Sequence, residues 1–359
     1  MDKPKKEKRF RFRTLHAAVI LAGMTGILAV GSLFTGSGKR SAWNPVWRPL
    51  LGARDTAVLQ LGRDSLGNVY VTEDRLLPYR ERFDDAAVTA SAEAVNALAA
   101  ESGTPVYLAA VPTSAGIYGD QLPEYAPLAN EHTMLRGLSS QLSENVVWIE
   151  AESWLSTERE QYIYYRTDPC WTGYGAFCVY RTAIRKLGFN PLGYDHFIVY
   201  HFSSDYYGRL VRESGYDSVQ PDLVDLYRYD AEQPLKTVLS LRGDGQKQLG
   251  SFFREAEAEK NHDPAAVFAS NTEPVIYMET ENQNSRELLL LTDSFGGSMI
   301  PLLLQHYHSV TAVNLGLARA QKADWRSLTD STGVQYTQVL VLCGADTLSS
   351  PEFAAALKQ

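Results

Sequence analysis

The stretch ELLLLTDSFGGS (residues 287–298) predicts a buried β-strand that turns directly into a helix. Four consecutive leucines are typical of a parallel strand that is covered on both faces. The residues that follow, SMIPLLLQHYH (298–308), predict the helix. Other apolar runs of strand length lie at residues 105–112, 146–150, 309–316 and 338–344.

Helical patterns lie between these predicted strands. Residues 84–102 and 130–144 carry apolar side chains three and four positions apart, which is the spacing of one helix face. Strands that alternate with helices predict an α/β domain with a doubly wound, mainly parallel sheet. Residues 69–78 predict a short strand or hairpin, whereas residues 190–286 are less regular and predict loops and excursions.

Asp293 and Ser294 follow the strongest predicted strand. In a doubly wound sheet, ligands bind beyond the carboxyl ends of the strands. A serine at such a turn exposes its hydroxyl, and nearby backbone N–H groups can face a developing oxyanion. Asp-Ser in this place is typical of the GDS-type serine hydrolases, although Thr292 stands where their glycine is usual. A simple helix cap remains the alternative.

A second motif, TDPCWTGYGAF (167–177), precedes an amphipathic helix. The predicted buried stripe of this helix consists of Phe177, Tyr180, Ile184 and Leu187. An aspartate before a proline at the first helical position is a good N-cap pair, so helix initiation alone explains Asp168 and Pro169.

Together the two motifs resemble the DHHW family of extracellular proteins from Gram-positive bacteria, which is similar to the SGNH-like alginate O-acetyltransferases. The matching segments cover most of residues 55–345 in the family's order. They are the apolar N-terminal segment, VYVTEDRLL, YLAAVPTSAGIYGDQLP, YYRTDPCWTGYGAF, FSSDYYGRLV and LLLLTDSFGGSMIPLLLQHY. The resemblance implies an SGNH hydrolase-like fold with a serine nucleophile, a histidine base and an aspartate that orients the base. On this chain these roles fall on Ser294, Cys170 and Asp168, with Asp293 beside the nucleophile.

The chain departs from the family's motif at the position of the histidine base. Pro169 and Cys170 stand where the motif has two histidines, while Trp171 is kept. A neutral thiol is a poor general base, and the charge of Asp168 should raise the pKa of the thiol rather than lower it. In a serine hydrolase, loss of the base lowers turnover by about 10⁶-fold.

Three hypotheses follow from this departure. The chain is a pseudoenzyme that keeps the fold and the cleft, or another histidine enters the cleft, with His306 and His308 nearest in sequence to Ser294. Alternatively, Cys170 itself takes the acyl group or pairs with Cys343, which ends a predicted strand.

The resemblance also implies a substrate and partners. Intact relatives are expected to transfer O-acetyl groups to a cell-envelope or secreted polysaccharide, with a membrane-bound O-acyltransferase delivering the acyl group. For this chain we expect a catalytically impaired acyltransferase or esterase, or a non-catalytic glycan-binding or scaffold subunit. Trp171, Ser114 and Tyr118 are the candidate substrate-binding residues, the last two because they follow a predicted strand end.

No cofactor or metal site is expected from the sequence. The three cysteines, Cys170, Cys178 and Cys343, show no metal-ligand spacing, and three thiols do not make a disulfide framework.

The N-terminus predicts a single-pass membrane protein. Residues 1–13 carry seven Lys or Arg against two acids, and residues 14–34 contain no acidic residue, Lys or Arg. A segment of about 20 apolar residues can span a bilayer, and the basic flank stays cytoplasmic. We therefore expect a cytoplasmic tail (1–13), an anchor (14–34), a linker (35–54) and an extracellular domain (55–359). A cleaved signal peptide is the alternative.

The charge balance excludes nucleic acid as a partner. The whole chain has a formal net charge of −8, of which residues 1–13 contribute +5, so the remainder carries −13. Such an acidic domain repels phosphate backbones and anionic lipid surfaces.

Overall fold

The computed structural model describes residues 65–122, 124, 126–229 and 235–358. The predicted tail, anchor and linker lie outside these residues, as does the beginning of the predicted extracellular domain (55–64). Within the described ranges, no helix is long and apolar enough to cross a membrane.

Strands and helices alternate along most of the described chain. The strands are β1 (Ser65–Leu66), β2 (Val69–Val71), β3 (Leu76–Pro78), β4 (Val106–Val111), β5 (Val146–Ile149), β6 (Phe197–Tyr206), β7 (Asp222–Tyr229), β8 (Thr237–Leu241), β9 (Lys247–Leu249), β10 (Val275–Glu279), β11 (Glu287–Thr292), β12 (Ser309–Asn314) and β13 (Gln338–Gly344). The helices are α1 (Asp85–Ser102), α2 (Ser114–Tyr118), α3 (Glu131–Ser140), α4 (Glu152–Thr157), α5 (Gly173–Lys186), α6 (Arg209–Ser214), α7 (Glu255–Asn261), α8 (Gly296–Leu303), α9 (Leu315–Ala320), α10 (Trp325–Asp330), α11 (Ala345–Leu348) and α12 (Pro351–Leu357).

The central sheet has eight strands in the order β5-β4-β13-β11-β12-β10-β8-β9. The first five of these strands run parallel to one another. The remaining three continue the sheet with antiparallel pairing. The mainly parallel sheet predicted from the sequence is therefore confirmed, with an antiparallel extension at one side.

Helices cover both faces of the parallel half, which explains its continuous apolar sequence. Leu288 and Leu290 of β11 pack into the core under α5 and α8. Leu289 and Leu291 point the other way and pack with α1 and α12. Because successive side chains of a strand alternate between faces, a strand buried on both sides needs an apolar residue at every position.

The predicted helices and hairpin are confirmed, with α3 ending four residues before its predicted end at residue 144 and α8 ending five residues before its predicted end at residue 308. The N-cap of α5 is Thr172, so the interpretation of Asp168 and Pro169 as the start of this helix is wrong. The four apolar residues predicted for the buried stripe of α5 are all buried in the core: Phe177, Tyr180, Ile184 and Leu187.

The expectation of loops over residues 190–286 is wrong. β6 and β7 form a long two-stranded ribbon, and β8, β9 and β10 extend the central sheet. The reason lies in the burial of β6, whose side chains are mostly half-buried or exposed between two buried ends. Such a strand has no continuous apolar run and no clean alternation, so its sequence lacks the usual signal.

Candidate active site

The turn that carries Ser294, the predicted nucleophile, joins β11 to α8, and we call it the nucleophile turn. Thr292 ends the strand, and its hydroxyl donates to the Leu342 carbonyl at 2.7 Å. Gly296 begins the helix, and a Cβ atom at this position would lie 2.5 Å from the Thr292 methyl group. Glycine is therefore required for the tight approach of helix and strand. Ser294 lies at the middle of this turn, as the sequence predicted.

Asp293 braces the turn. One of its carboxylate oxygens accepts from the Phe295 N–H at 3.0 Å. The other accepts from the Gly344 N–H at 2.9 Å and from the Thr347 hydroxyl at 2.6 Å, at the end of β13. Burial raises the pKa of this carboxyl, although the three donors oppose the shift. In this arrangement Asp293 fastens the nucleophile turn to the neighbouring strand.

Cys170 lies against Ser294. Its Sγ atom is 3.0 Å from Ser294 Oγ, and either atom can be the donor. The thiol is half-buried, and burial raises its pKa well above the usual range, with the charge of Asp168 raising it further. The thiol is therefore protonated at neutral pH, as the sequence predicted from the neighbouring carboxylate.

Asp168 is held by three donors. Its Oδ1 accepts from the Cys170 N–H at 3.1 Å. Its Oδ2 accepts from the Tyr206 hydroxyl at 3.1 Å and from the Arg209 N–H at 2.8 Å. The carboxylate thus fixes the backbone of Cys170 rather than its sulfur, and it ties the motif to the end of β6 and the start of α6.

Asp222 positions the loop before Asp168, and sequence reasoning missed it. It is fully buried, and its carboxylate accepts from the backbone N–H groups of Arg166 and Thr167 at 2.6 and 2.8 Å. The hydroxyls of Thr167 and Tyr162 donate to it as well. Its position at the start of β7, in a region that lacked a strand signal, hid it from the sequence analysis.

Trp171 connects the two motifs. Its indole N–H donates to the Phe295 carbonyl at 3.0 Å, and the two rings meet edge to face at 5.2 Å. The side chain is only 1% exposed. The indole therefore braces the nucleophile turn and leaves little surface to a substrate.

A cavity of about 450 Å³ opens over these residues, and we call it the active-site cavity. It is bounded by Thr113, Asp168, Cys170, Trp171, Asp293 and Ser294, among others. Of the predicted substrate-binding residues, only Trp171 lies along it. Ser114 and Tyr118 do not line it: the Ser114 N–H donates to the Pro169 carbonyl at 3.2 Å, and the Tyr118 hydroxyl donates to the Arg159 carbonyl at 3.0 Å.

None of the histidines in the described ranges lines the active-site cavity. His306 is buried against the Tyr180 hydroxyl at 2.6 Å, and burial lowers its pKa to about 4. His308 Nδ1 lies 2.7 Å from the Asn282 carbonyl oxygen. The hypothesis that either histidine replaces the missing base therefore finds no support in the structure.

The free cysteines and the arrangement of possible metal ligands bear on two further expectations for the described residues. Cys170, Cys178 and Cys343 are all free, so the hypothesis of a Cys170–Cys343 disulfide is wrong for this state of the protein. The part of the chain that the structure describes contains no group of His, Cys, Asp or Glu side chains able to hold a metal ion.

Comparison with known proteins shows which solved structures this fold resembles. A crystal structure of a DHHW family protein from Eubacterium siraeum has a TM-score of 0.66 at 17% identity, with 81% of this chain and 94% of that chain covered. Bacillus cereus PatB1 with a sulfonyl adduct gives 0.66 at 18% identity, with 79% and 97% covered. The O-acetyltransferase domain of Pseudomonas putida AlgJ gives 0.47 at 14% identity, with 81% and 99% covered.

No curated protein matches the sequence closely enough to count as a relative. The family model described as DHHW protein matches residues 52–313, which include both motifs of the active-site cavity. This match spans more than half of the chain, and the chain is therefore a member of the DHHW protein family.

Proposed function

We propose that this chain is a glycan-modifying protein of the cell envelope, of the O-acetyltransferase or esterase type, whose acyl-transfer step is impaired. One observation carries the proposal, namely that the thiol of Cys170 lies 3.0 Å from Ser294 Oγ. That is the place where the base of a serine hydrolase makes its hydrogen bond.

The chemistry of the first step explains the impairment. Ser294 Oγ would form a bond to the acyl carbon while the leaving group departs, and the hydroxyl proton must pass to a base. A histidine accepts this proton at neutral pH because its pKa lies near 6.5. The Cys170 thiol already carries a proton, because burial and Asp168 raise its pKa. The acyl-enzyme should therefore form very slowly at neutral pH.

The rest of the site is consistent with a retained binding role. The nucleophile turn is braced by Asp293 and by Trp171, and the cavity over it remains open. The apolar N-terminal segment supports anchoring through residues 14–34, with the domain on the outer side of the membrane. A membrane-bound O-acyltransferase is the partner that such a domain would need to obtain acyl groups.

Restoring the imidazole tests the proposal. The full chain is incubated with an activated acetyl ester at neutral pH, and its intact mass is measured. We expect no adduct on the wild-type protein and one acetyl adduct on Cys170→His, because the imidazole restores proton acceptance. The adduct should disappear in the double variant Cys170→His/Ser294→Ala, which is the matched control for the site of reaction.

Two results would contradict the proposal. Rapid acetylation of the wild-type protein that is lost in Ser294→Ala would show that transfer is not impaired. Acetylation of the wild-type protein that is lost only in Cys170→Ala would show that the thiol is the nucleophile.

A non-catalytic glycan-binding or scaffold subunit is the second candidate, and the contacts of Asp168 favour it. All three donors to this carboxylate come from the protein itself, and none is the side chain at position 170. An imidazole at position 170 would be oriented by Asp168 only if it reached Oδ1, which already accepts from the backbone N–H of residue 170. A folded Cys170→His variant that forms no adduct would therefore favour the binding role.

A further inference from the structure

A second cavity, of about 860 Å³, lies beside the active-site cavity, and we call it the side groove. It runs between the end of β6 and the end of α7. The two cavities share Tyr206, Arg212 and Asp263 in their walls, so they adjoin. The Tyr206 hydroxyl also donates a hydrogen bond to Asp168, so the Tyr206 side chain extends from the groove to the residue two positions before Cys170.

The walls of the side groove differ in character. Phe202 and Tyr207 supply aromatic rings on the β6 side. Glu259, Asn261 and His262 supply polar groups on the α7 side. Ligand sites in proteins are concave spaces of about 300–1,000 Å³ in which apolar and aromatic surfaces combine with a few polar groups, and the groove has this size and composition.

The charges of the groove are mostly negative. Asp205, Glu259 and Asp263 contribute three carboxylates, against the single guanidinium of Arg212. Within the described residues, the carboxylates of Asp205 and Glu259 take part in no ion pair. The Arg212 guanidinium donates to the Tyr207 carbonyl, at 3.5 Å. A ligand that carries carboxylates of its own would be repelled by this arrangement.

We propose that the side groove binds the sugar units next to the one held over Ser294, and that this glycan is neutral or amine-bearing rather than a uronate polymer. The inference rests on the proposed function, because it extends the same site along the acceptor chain. Aromatic rings cover the apolar faces of sugar rings, while carboxylates accept hydrogen bonds from hydroxyl, amide and amine groups. The adjoining cavities allow one chain to occupy both.

Binding of defined oligosaccharides tests the proposal. The full chain is titrated with the β-1,4-linked tetramer of N-acetylglucosamine, its de-N-acetylated tetramer, a tetramer of galacturonate, and the corresponding monosaccharides. We expect at least one of the first two tetramers to bind about tenfold or more tightly than its monosaccharide, because only a chain fills the groove. The galacturonate tetramer should bind most weakly.

Variants assign the binding to the groove. Phe202→Ala should weaken tetramer binding by about tenfold while leaving monosaccharide binding unchanged. The double variant Asp205→Asn/Glu259→Gln should raise the affinity for the galacturonate tetramer, because it removes two of the repelling charges. Glu93→Gln is the matched control, since it removes one exposed carboxylate from α1, outside both cavities.

Three results would overturn the proposal. They are equal or tighter binding of the galacturonate tetramer, tetramer binding that Phe202→Ala leaves unchanged, and no binding of any tetramer. Acetylation of Ser294 in Cys170→His is measured separately and needs no glycan. The proposal for the groove can thus fail while the proposed function holds. Equally, the glycan can bind as proposed while the acetylation experiment contradicts the proposed function.

Discussion

The chemistry of Cys170 and Ser294 depends on which of the two atoms, Cys170 Sγ or Ser294 Oγ, carries the proton. In the wild-type protein the thiolate of Cys170 is scarce at neutral pH, because burial and Asp168 raise the pKa of the thiol. Any acetylation of Ser294 should therefore accelerate by up to about tenfold for each added pH unit across the alkaline range. The Cys170→His variant should instead reach a plateau above about pH 7, once its imidazole is neutral.

The rate of adduct formation between about pH 6 and pH 10 checks this difference. Ser294→Ala in each background is the control for hydrolysis of the reagent and for acetylation elsewhere. A wild-type rate that levels off below pH 8 would mean that a group other than Cys170 removes the proton.

Glu131 gives the stability of the protein a pH dependence. The carboxyl is buried and accepts from the N–H and the hydroxyl of Thr113, which lines the active-site cavity. Burial raises its pKa from 4.5 to about 7, so the folded state binds the proton more tightly than the unfolded state. The free energy of unfolding should therefore fall as the pH rises from about 4.5 to about 7, by on the order of 3 kcal/mol.

Denaturant unfolding of the full chain at several pH values measures this slope, with Glu131→Gln as the comparison. The amide cannot titrate, so the slope between pH 4.5 and pH 7 should be reduced by the share that belongs to Glu131. Equal slopes in the two proteins would show that Glu131 is ionised throughout this range.

At the scale of elements, β7 holds the loop before Asp168 through its first residue, Asp222. Replacing Asp222 by Asn turns one acceptor oxygen into a donor, which leaves some of the loop's N–H and hydroxyl groups unpaired. We expect Asp222→Asn to lower the free energy of unfolding by about 2–3 kcal/mol. Cys170 should also react faster with a thiol reagent, because the loop that holds it becomes looser.

Asp225→Asn is the matched control, because Asp225 lies on the same strand and pairs with the exposed side chain of His201. Its unfolding should change by less than about 1 kcal/mol. Asp222→Asn that unfolds at the same denaturant concentration as this control would contradict the supporting role.

The sequence predicted the elements of the parallel half better than the rest. β4 and β11 are apolar at nearly every position because both of their faces are covered, and that pattern is visible without any tertiary information. β6 has mixed burial and does not stand out from its surroundings, whereas β10 carries a short apolar run that sequence reasoning missed within a polar region.

In the candidate site, too, the sequence predicted some residues and missed others. The proximity of Cys170 and Ser294 could be predicted because each lies in a short motif with a recognisable position. Tyr206 and Asp222 could not, since their contacts with the motif join residues 38 and 55 positions apart. Ser114 and Tyr118 were chosen for their position after a strand, and strand position alone does not show which side chains turn toward a cavity.

At the scale of the whole molecule, the residues around Ser294 and the walls of the side groove come from different parts of the fold. The parallel half places Ser294 and the end of β13 at one edge, where the carboxyl ends of the strands meet. The region between β6 and α7, where sequence reasoning expected loops, builds the walls of the side groove. The least regular part of the sequence therefore carries the part of the surface with which we propose the protein selects its glycan.

The strand order also has a consequence for synthesis of the chain. β4 lies between β5 and β13, and Gln338 of β13 contacts Tyr107 of β4 across 231 positions. A nascent chain can pair β4 with β5 early, but the other edge of β4 has no partner until residues 338–344 have been made. Contacts this distant slow folding and prolong the exposure of apolar strands. The contact between Cys170 and Ser294 is therefore expected to form only after β13 has been made, because a growing polypeptide that stops before residue 338 lacks the strand that joins β4 to β11.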